Sequence, residues 1–301
     1  MLLFLYTDYN TPEDFNPWTK MEKPWTDSQG VMFKKIQHPL FSGFINRINI
    51  NILVHGHLQS GNCWRFGDSE APFNRLYLVF GGDGFIEISG KKTLLTPGYI
   101  YLLPAGSSCQ GACKTFIEKF YIHFRFEVYP GKDLFSEHKS LRFCAMKNIA
   151  KTRKILERAG KNTAADLLAV KAFLLETLIP FARIPLDSLA RSMHIAEKYQ
   201  ALFTILETGR FADFSAGEIA RLLGMSVSGL TKSFKKDTGI SMRDYYRQKI
   251  ITQARELLVL GNSHVKEIAR SLSFNDEFYF SRFFKKAAGI SPLEYRKNNK
   301  L

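Results

Sequence analysis

The chain has 301 residues, 42 Lys and Arg against 28 Asp and Glu for a net charge of +14, and 45% apolar residues that include 26 Phe. That length predicts two or three domains, and the apolar content is enough to fill real cores. No run of about 18 apolar residues exists to form a membrane-crossing helix, and Met1–Leu5 lacks a basic flank and is stopped by Asp8, which argues against a signal peptide; a cytoplasmic chain is expected.

Residues 44–128 read as short strands. Ile48, Ile50 and Ile52 alternate with asparagines, and residues 76–80 and 85–89 flank Gly81-Gly82-Asp83-Gly84, a predicted hairpin. Pro97-Gly98 and Pro104-Ala105-Gly106 bracket residues 99–103. Phe120, Ile122, Phe124, Phe126 and Val128 alternate with Tyr121, His123, Arg125 and Glu127. Short strands with regular Gly and Pro punctuation predict an antiparallel β-barrel or jelly roll. Cys109 and Cys113 read as buried free thiols, since no C-x-x-C pair occurs.

A barrel mouth suits a small ligand. The amphipathic candidates for contacting an effector are Trp64, Arg65, Arg75, Tyr77, Tyr101 and His123, with Tyr99 and Arg125 beside them. Aromatic faces with a few hydrogen-bonding groups fit a polar organic molecule. Taken singly, each aromatic reads better as barrel filling and each arginine as solvent-facing; taken as a set, some are expected to line a pocket. No serine-histidine-acid arrangement or phosphate loop is visible, so no catalytic residue, metal ligand or cofactor is assigned.

Two helices follow, over 141–159 and 163–182. The second carries two apolar stripes, Leu167, Val170, Leu174, Leu178, Phe181 and Leu168, Ala172, Leu175, Ile179, Ala182. Two stripes predict two partners: one is its own barrel, and the other is either the same helix of a second subunit, giving a two-fold dimer, or the rest of the same chain. The resulting division is a barrel over 1–130, a helical dimerisation segment over 131–183, a linker over 184–192 and an all-α domain over 193–301.

That last domain is written twice. Ile219-Ala220-Arg221 recurs as Ile268-Ala269-Arg270, Phe234-Lys235-Lys236 with Gly239-Ile240-Ser241 recurs as Phe284-Lys285-Lys286 with Gly289-Ile290-Ser291, and Tyr245 recurs as Tyr295. In the first unit Ser215 and Glu218 form a capping box, Ala220 allows a close crossing, Gly224 turns the chain and Ser226 caps a second helix. The second unit repeats this with a turn at Ser273-Phe274 and a cap at Asn275 or Asp276. A serine held in the left-handed region costs roughly 1 kcal/mol, so an adjusted turn is expected there. This is helix-turn-helix chemistry, in which the second helix enters the major groove. Base-facing candidates are Ser228, Thr231, Lys232, Glu277, Phe278, Ser281 and Arg282. Phosphate-facing candidates are Lys235, Lys236, Arg247, Tyr279, Lys285 and Lys286. Residues 191–301 hold 19 Lys and Arg against 11 Asp and Glu, a net of +8, so the basic excess is denser here. No helix sets a lysine-rich face against a continuous apolar one, so a membrane partner is not expected.

The run from Ile268 to Arg296 resembles the signature of AraC/XylS-type bacterial transcriptional regulators. The resemblance covers about residues 192–297 and implies two helix-turn-helix units on one linking helix, entering successive major grooves of double-stranded DNA. Residues 241–260 contain no Gly or Pro and would span about 30 Å as a helix, close to one DNA turn. The chain departs from the family at Ser273, where Gly is usual, and at Ile250, where an Arg is usual; no phosphate contact is carried over to Ile250. The strand region is similar to the cupin-like effector domain of the same family, which implies a sugar-like effector, a dimer and RNA polymerase as a partner. A metal cupin needs a further convergent histidine and a glutamate. His55-Gly56-His57 precedes the glycine-rich turn, no glutamate follows in register, and no histidine stands near Cys109. The reading is a ligand-responsive regulator of α+β multidomain class. Two alternatives are a metal-dependent cupin enzyme fused to a DNA-binding domain and a constitutive DNA binder whose barrel only dimerises.

Overall fold

The computed structural model describes residues 25–26, 32–33, 44–46, 49–61, 64–136, 138, 140–161, 163–208 and 216–299. Met1–Leu5, Ile48 and Ser215, on which three of the readings above fall, lie outside the described residues. The chain forms two compact units, 1–48 and 49–301. In the first, β1 (Trp25–Thr26) pairs antiparallel with β2 (Met32–Phe33).

The second unit begins with ten strands: β3 (Ile50–Gly61), β4 (Arg65–Glu70), β5 (Asn74–Gly82), β6 (Phe85–Ile88), β7 (Lys91–Leu94), β8 (Tyr99–Leu103), β9 (Ser108–Ala112), β10 (Phe116–Tyr129), β11 (Lys132–Asp133) and β12 (Arg142–Ala145). They make two antiparallel sheets, and the expected closed barrel is not formed. One sheet runs β11-β10-β5-β8-β12, with β3 also on β10; the other runs β4-β9-β6-β7. Tyr77, Val79, Tyr101, Leu103 and Ile117 of the large sheet share a core with Ile86 and Cys109 of the small one. The architecture is a two-sheet sandwich.

The expected hairpin at 81–84 is a crossing between sheets instead. β5 pairs with β8 and β10, whereas β6 pairs with β7 and β9. A Cβ on Gly82 would lie 2.2 Å from the Phe116 carbonyl oxygen, so only glycine passes β10 this closely. Asp83 then pins the crossing, accepting from the Lys114 and Thr115 backbone N–H groups at 2.9 and 3.1 Å and from the Thr115 hydroxyl at 2.9 Å. Those hydrogen bonds hold its carboxyl below the usual carboxylate range. Cys109 and Cys113 are buried and outside any disulfide, and the Cys113 thiol donates to the Gly61 carbonyl at 3.0 Å.

Ten helices follow among the described residues. They are α1 (Ile149–Glu157), α2 (Ala164–Leu178), α3 (Leu186–Lys198), α4 (Gln200–Thr208), α5 (Ala216–Leu222), α6 (Val227–Thr238), α7 (Met242–Leu260), α8 (Val265–Ser271), α9 (Glu277–Ala288) and α10 (Pro292–Asn299). The helix expected over 141–159 starts only at α1, where the Asn148 side chain accepts from the Lys151 N–H at 2.8 Å. Residues 142–145 are β12, taken up by the free edge of β8. The linker expected over 184–192 is largely the first two turns of α3. On α2, Leu174 and Leu178 are buried, while Leu167 of the same expected stripe is 57% exposed. The second stripe is open, with Leu168 66% and Ile179 just beyond the helix 61% exposed.

The helical part has one core built from α3 to α10, joined by Ala71 and Phe73 of the strand-rich part. Tyr199 ties α3 to α6, its hydroxyl donating to Asp237 at 2.8 Å and meeting the Ser233 hydroxyl at 2.9 Å. Lys198 adds an ion pair to Asp237 at 2.7 Å, which lowers the aspartate pKa.

Candidate nucleic-acid interface and effector site

The two helical repeats are built by the same local devices. Ser226 accepts from the Gly229 N–H at 3.1 Å to start α6, and Asp276 accepts from the Phe278 and Tyr279 N–H groups at 3.0 and 2.9 Å to start α9. Gly239 and Gly289 end these helices in the left-handed conformation, with φ of +80° and +81°. Ser241 and Ser291 then cap α7 and α10, accepting from Asp244 and Glu294 N–H groups at 3.1 and 3.3 Å. The recurring F-K-K-x-x-G-I-S run is thus one helix end, one stop and one restart.

The turns match as well. Met225 N–H bonds the Ala220 carbonyl at 2.8 Å, and Phe274 N–H bonds the Ala269 carbonyl at 2.8 Å. Gly224 has φ +61° and Ser273 has φ +63°. The turn at Ser273 is therefore not adjusted, contrary to expectation: the serine takes the glycine conformation. Ala220 and Ala269 are both 1% exposed at the crossing, and Leu230, Phe234, Phe280 and Phe284 point into the core.

The opposite face of each recognition helix is open. Ser228, Lys232, Lys235 and Lys236 of α6 are exposed, as are Phe278, Tyr279, Arg282, Lys285 and Lys286 of α9. Thr231, Glu277 and Ser281 are half-buried. Thr231 donates its hydroxyl to the Val227 carbonyl at 2.8 Å, so that donor is occupied within the helix. Among the described residues none of Lys232, Lys235, Lys236, Arg282, Lys285 and Lys286 is in an ion pair. Lysines in a last helical turn also complement the helix dipole, but Lys232 and Arg282 lie earlier. Phe278 is 67% exposed on the same open face as Arg282. Arg247 is exposed on α7, 3.9 Å from Asp244. α7 has 19 residues and so a length of about 28 Å, with Ile250 buried at the position where the arginine is missing.

The effector candidates separate into three groups. Arg75, Tyr77, Tyr101 and His123 are buried on the face of the large sheet that meets the small sheet. In register, Arg75 is opposite His123, and Tyr77 is opposite Tyr121. Tyr101 is committed elsewhere, donating to the Leu94 carbonyl at 3.0 Å and accepting from the Thr96 N–H at 2.7 Å. Arg65 is exposed and leaves the set. Arg125 also leaves it, because it lies 3.2 Å from Glu256 of α7. Tyr99 packs against Phe143 at the β12 edge.

Sequence reasoning missed Lys119. It is 2% exposed, and its ammonium stands 3.9 Å above the Trp64 ring and 3.4 Å above the Tyr77 ring. Contact with an aromatic face stabilises a desolvated cation by about 2 kcal/mol, against several kcal/mol for stripping the ammonium of water. Burial, with the Arg75 charge next, therefore holds its pKa well below the ordinary lysine range. Burial likewise pushes the Tyr77 hydroxyl up to about 12, against the Arg75 guanidinium that hydrogen-bonds it. His123 stacks on Phe73 at 5.0 Å, and its buried Nδ1 has no partner among the described residues. Burial, and then Arg75 and Lys119, hold that imidazole well below its usual pKa. The signal for Lys119 was its parity: it shares a face with Ile117, Tyr121 and His123 on a strand apolar on both sides. Gly56 belongs to this face too, since a Cβ there would lie 2.8 Å from the Tyr121 hydroxyl.

His55 and His57 are exposed, and His57 pairs with Glu118 at 3.1 Å. Among the described residues, no three His, Cys, Asp or Glu side chains gather to hold a metal, and no helix is long and apolar enough to cross a membrane.

Comparison with known proteins agrees with this geometry. The family model described as a helix-turn-helix domain matches residues 219–298. The chain is 24% identical over 264 residues to the Msm operon regulatory protein of Streptococcus mutans, covering 84% of this chain and 94% of that one. It is 25% identical over 247 residues to the Arabinose operon regulatory protein of Escherichia coli, covering 73% and 79%. Among solved structures, the C-terminal domain of the two-component response regulator yesN from Fusobacterium nucleatum is 32% identical and is 98% covered. It spans 33% of this chain, with a TM-score of 0.31.

Proposed function

We propose that this chain, which belongs to the AraC/XylS family of bacterial transcriptional regulators, lays α6 and α9 in two successive major grooves on one face of duplex DNA. The single observation that carries this is the pair of matched helices, each with a buried apolar seam (Leu230 and Phe234 on α6, Phe280 and Phe284 on α9) and an open face of cations in no ion pair among the described residues. Lys232, Arg282, Ser228 and Phe278 face the bases; Lys235, Lys236, Lys285, Lys286, Tyr279 and Arg247 face phosphates. The core between the two sheets holds a small polar organic effector, and the open stripe Leu168, Ala172, Leu175, Ile179 pairs with its copy in a homodimer. Relatives named for operon regulation, one of them an arabinose operon, support a metabolite as effector. Effector binding acts by its differential affinity for two arrangements of the DNA-binding helices. The protein has no catalytic role in this reading, and RNA polymerase is its further partner at a promoter.

The test is a salt titration of the full chain on duplex DNA. Contact with roughly 4–6 phosphates gives a log–log slope of about −0.9 per phosphate. A slope near zero removes the DNA-binding reading. Sedimentation of Leu168→Glu tests the dimer: the wild type is dimeric and the variant monomeric, or the helix face serves another purpose.

A further inference from the structure

Resting on the reading of the two-sheet core as the effector site, we infer that the effector is a small organic acid whose carboxylate is held by Lys119 and Arg75. Both residues sit on adjacent strands of one sheet face and converge on Tyr77: the Lys119 ammonium lies 3.4 Å above its ring, and Arg75 hydrogen-bonds its hydroxyl. Lys119 has ring contacts only; among the described residues no carboxylate pairs with it. A third nitrogen base, His123, lies opposite Arg75 with its Nδ1 unpartnered. The face thus sets the Lys119 ammonium among aromatic rings, with the unpartnered His123 Nδ1 two strand pairs away on the same side.

A neutral sugar cannot neutralise a buried ammonium. A carboxylate does, through charge-assisted hydrogen bonds roughly twice as strong as neutral ones, and the guanidinium fork matches its two oxygens. The organic part is supplied with surfaces as well. Trp64, Phe66, Tyr77 and Tyr121 pack in the same core cluster, and the Arg75 guanidinium already lies 5.3 Å from the Phe66 ring centroid. These apolar faces favour an organic anion over bare phosphate or chloride. Trp64, only half-buried, is the cover over Lys119. Lys119 is therefore a binding residue kept at a cost to the unliganded fold, because burial without an acid partner among the described residues disfavours its charged form, which a carboxylate restores.

The experiment is thermal denaturation and DNA titration of the full chain with matched pairs: D-glucuronate and D-glucose, D-galacturonate and D-galactose, benzoate and benzamide. Inorganic phosphate and chloride at equal ionic strength are the controls. The expected result is that at least one acid raises the melting temperature and its neutral counterpart binds at least tenfold more weakly. Lys119→Met keeps the fold and DNA binding, melts no lower than the wild type, and loses the response to the acid. Should Lys119→Met not fold, Lys119→Gln gives the same readout. An acid and its neutral partner that bind alike, an acid response that survives Lys119→Met, or a full response to phosphate alone overturns the inference. A response to the neutral sugars only overturns it while leaving the effector reading intact. No change in melting or DNA affinity with any compound overturns both.

Discussion

Tyr245 and Tyr295 stand at equivalent positions of the two repeats, and each donates its hydroxyl to a backbone carbonyl of the strand-rich part: Tyr245 to Pro130, and Tyr295 to Glu70 at 2.8 Å. Each ring also meets the buried phenylalanine of its recognition helix edge-on, Phe234 at 5.5 Å and Phe284 at 5.4 Å. One side chain per repeat therefore touches both a recognition helix and the chain leaving a sheet. The contact is widened by Tyr129 stacked on Phe203 at 5.3 Å and by Arg255 paired with Glu70 at 3.2 Å. Residue 130 is thus linked to α6 through the Tyr245 ring, and residue 70 to α9 through the Tyr295 ring.

Removing these hydroxyls tests the docking. Tyr245→Phe and Tyr295→Phe each delete one hydrogen bond and keep the ring, so each lowers stability by about 1 kcal/mol. The acceptors are separate carbonyls, so the two losses add. Urea denaturation of both single variants and the double variant measures this. Unchanged midpoints show that the hydroxyls are better served by water and that the docking rests on the apolar contacts.

The left-handed Ser273 gives a cleaner prediction. Ser273→Gly stabilises the chain by about 1 kcal/mol, because the backbone strain of a Cβ at φ +63° disappears. Gly224→Ser in the matching turn costs a similar amount. Thermal melts of the pair read both signs, and DNA affinity stays constant because neither side chain lies on the open face. A destabilised Ser273→Gly shows that the serine hydroxyl contributes more than the strain removes.

The tandem repeat is legible in the sequence because its punctuation acts over three or four residues. Ser226, Asp276, Gly239, Gly289, Ser241 and Ser291 each bond or turn the backbone beside them, so their identities announce their roles. The sandwich is less legible because its decisive contacts are distant. The glycines at 81–84 announce a turn but not which sheet receives the next strand; that depends on Asp83 meeting Thr115, 32 residues away. Residues 142–145 become a strand only because β8 has a free edge. Lys119 reads as solvent-facing until both sides of β10 are known to be covered. Arg125 reads as an effector contact until Glu256 is found 3.2 Å from it, a position that no local pattern announces.

That Glu256 has a titration consequence. Burial pushes its carboxyl up to about 7 from an ordinary 4.5; Arg125 opposes the shift and Glu127 adds to it. The folded pKa is raised, so the folded state binds more protons than the unfolded state between these values, and stability is fully present below about 4.5 and declines as pH rises through about 7. At about 1.4 kcal/mol per pH unit the limit is roughly 3 kcal/mol. Glu256→Gln, which imitates the protonated form, is therefore close to neutral at pH 5 and stabilising at pH 8. Asp133, raised to about 6 by burial, acts in the same direction, but it is unchanged in the variant and cancels in the difference. A difference in melting temperature that stays flat from pH 5 to 8 shows that Glu256 remains ionised through Arg125.

The open faces of α6 and α9 predict different losses for neighbouring cations. Arg282 is exposed in the middle of α9, where a guanidinium can clamp guanine O6 and N7, and it has no carboxylate partner among the described residues to restrain it. Lys286 lies one turn later, towards the end where phosphate contacts fall. Arg282→Ala therefore costs about 1–3 kcal/mol on the preferred site and relaxes preference at one base position. Lys286→Ala weakens all sequences alike and reduces the salt slope by about 0.9. In the first repeat Lys232→Ala relaxes base preference, whereas Thr231→Val changes little, because the Thr231 hydroxyl already donates to Val227 and can offer a base only its methyl group. Selection of binding sites from a random duplex library, run on each variant, separates these outcomes. An Arg282→Ala variant that selects the wild-type motif assigns the arginine to the backbone and moves base reading on α9 to Phe278 and Ser281.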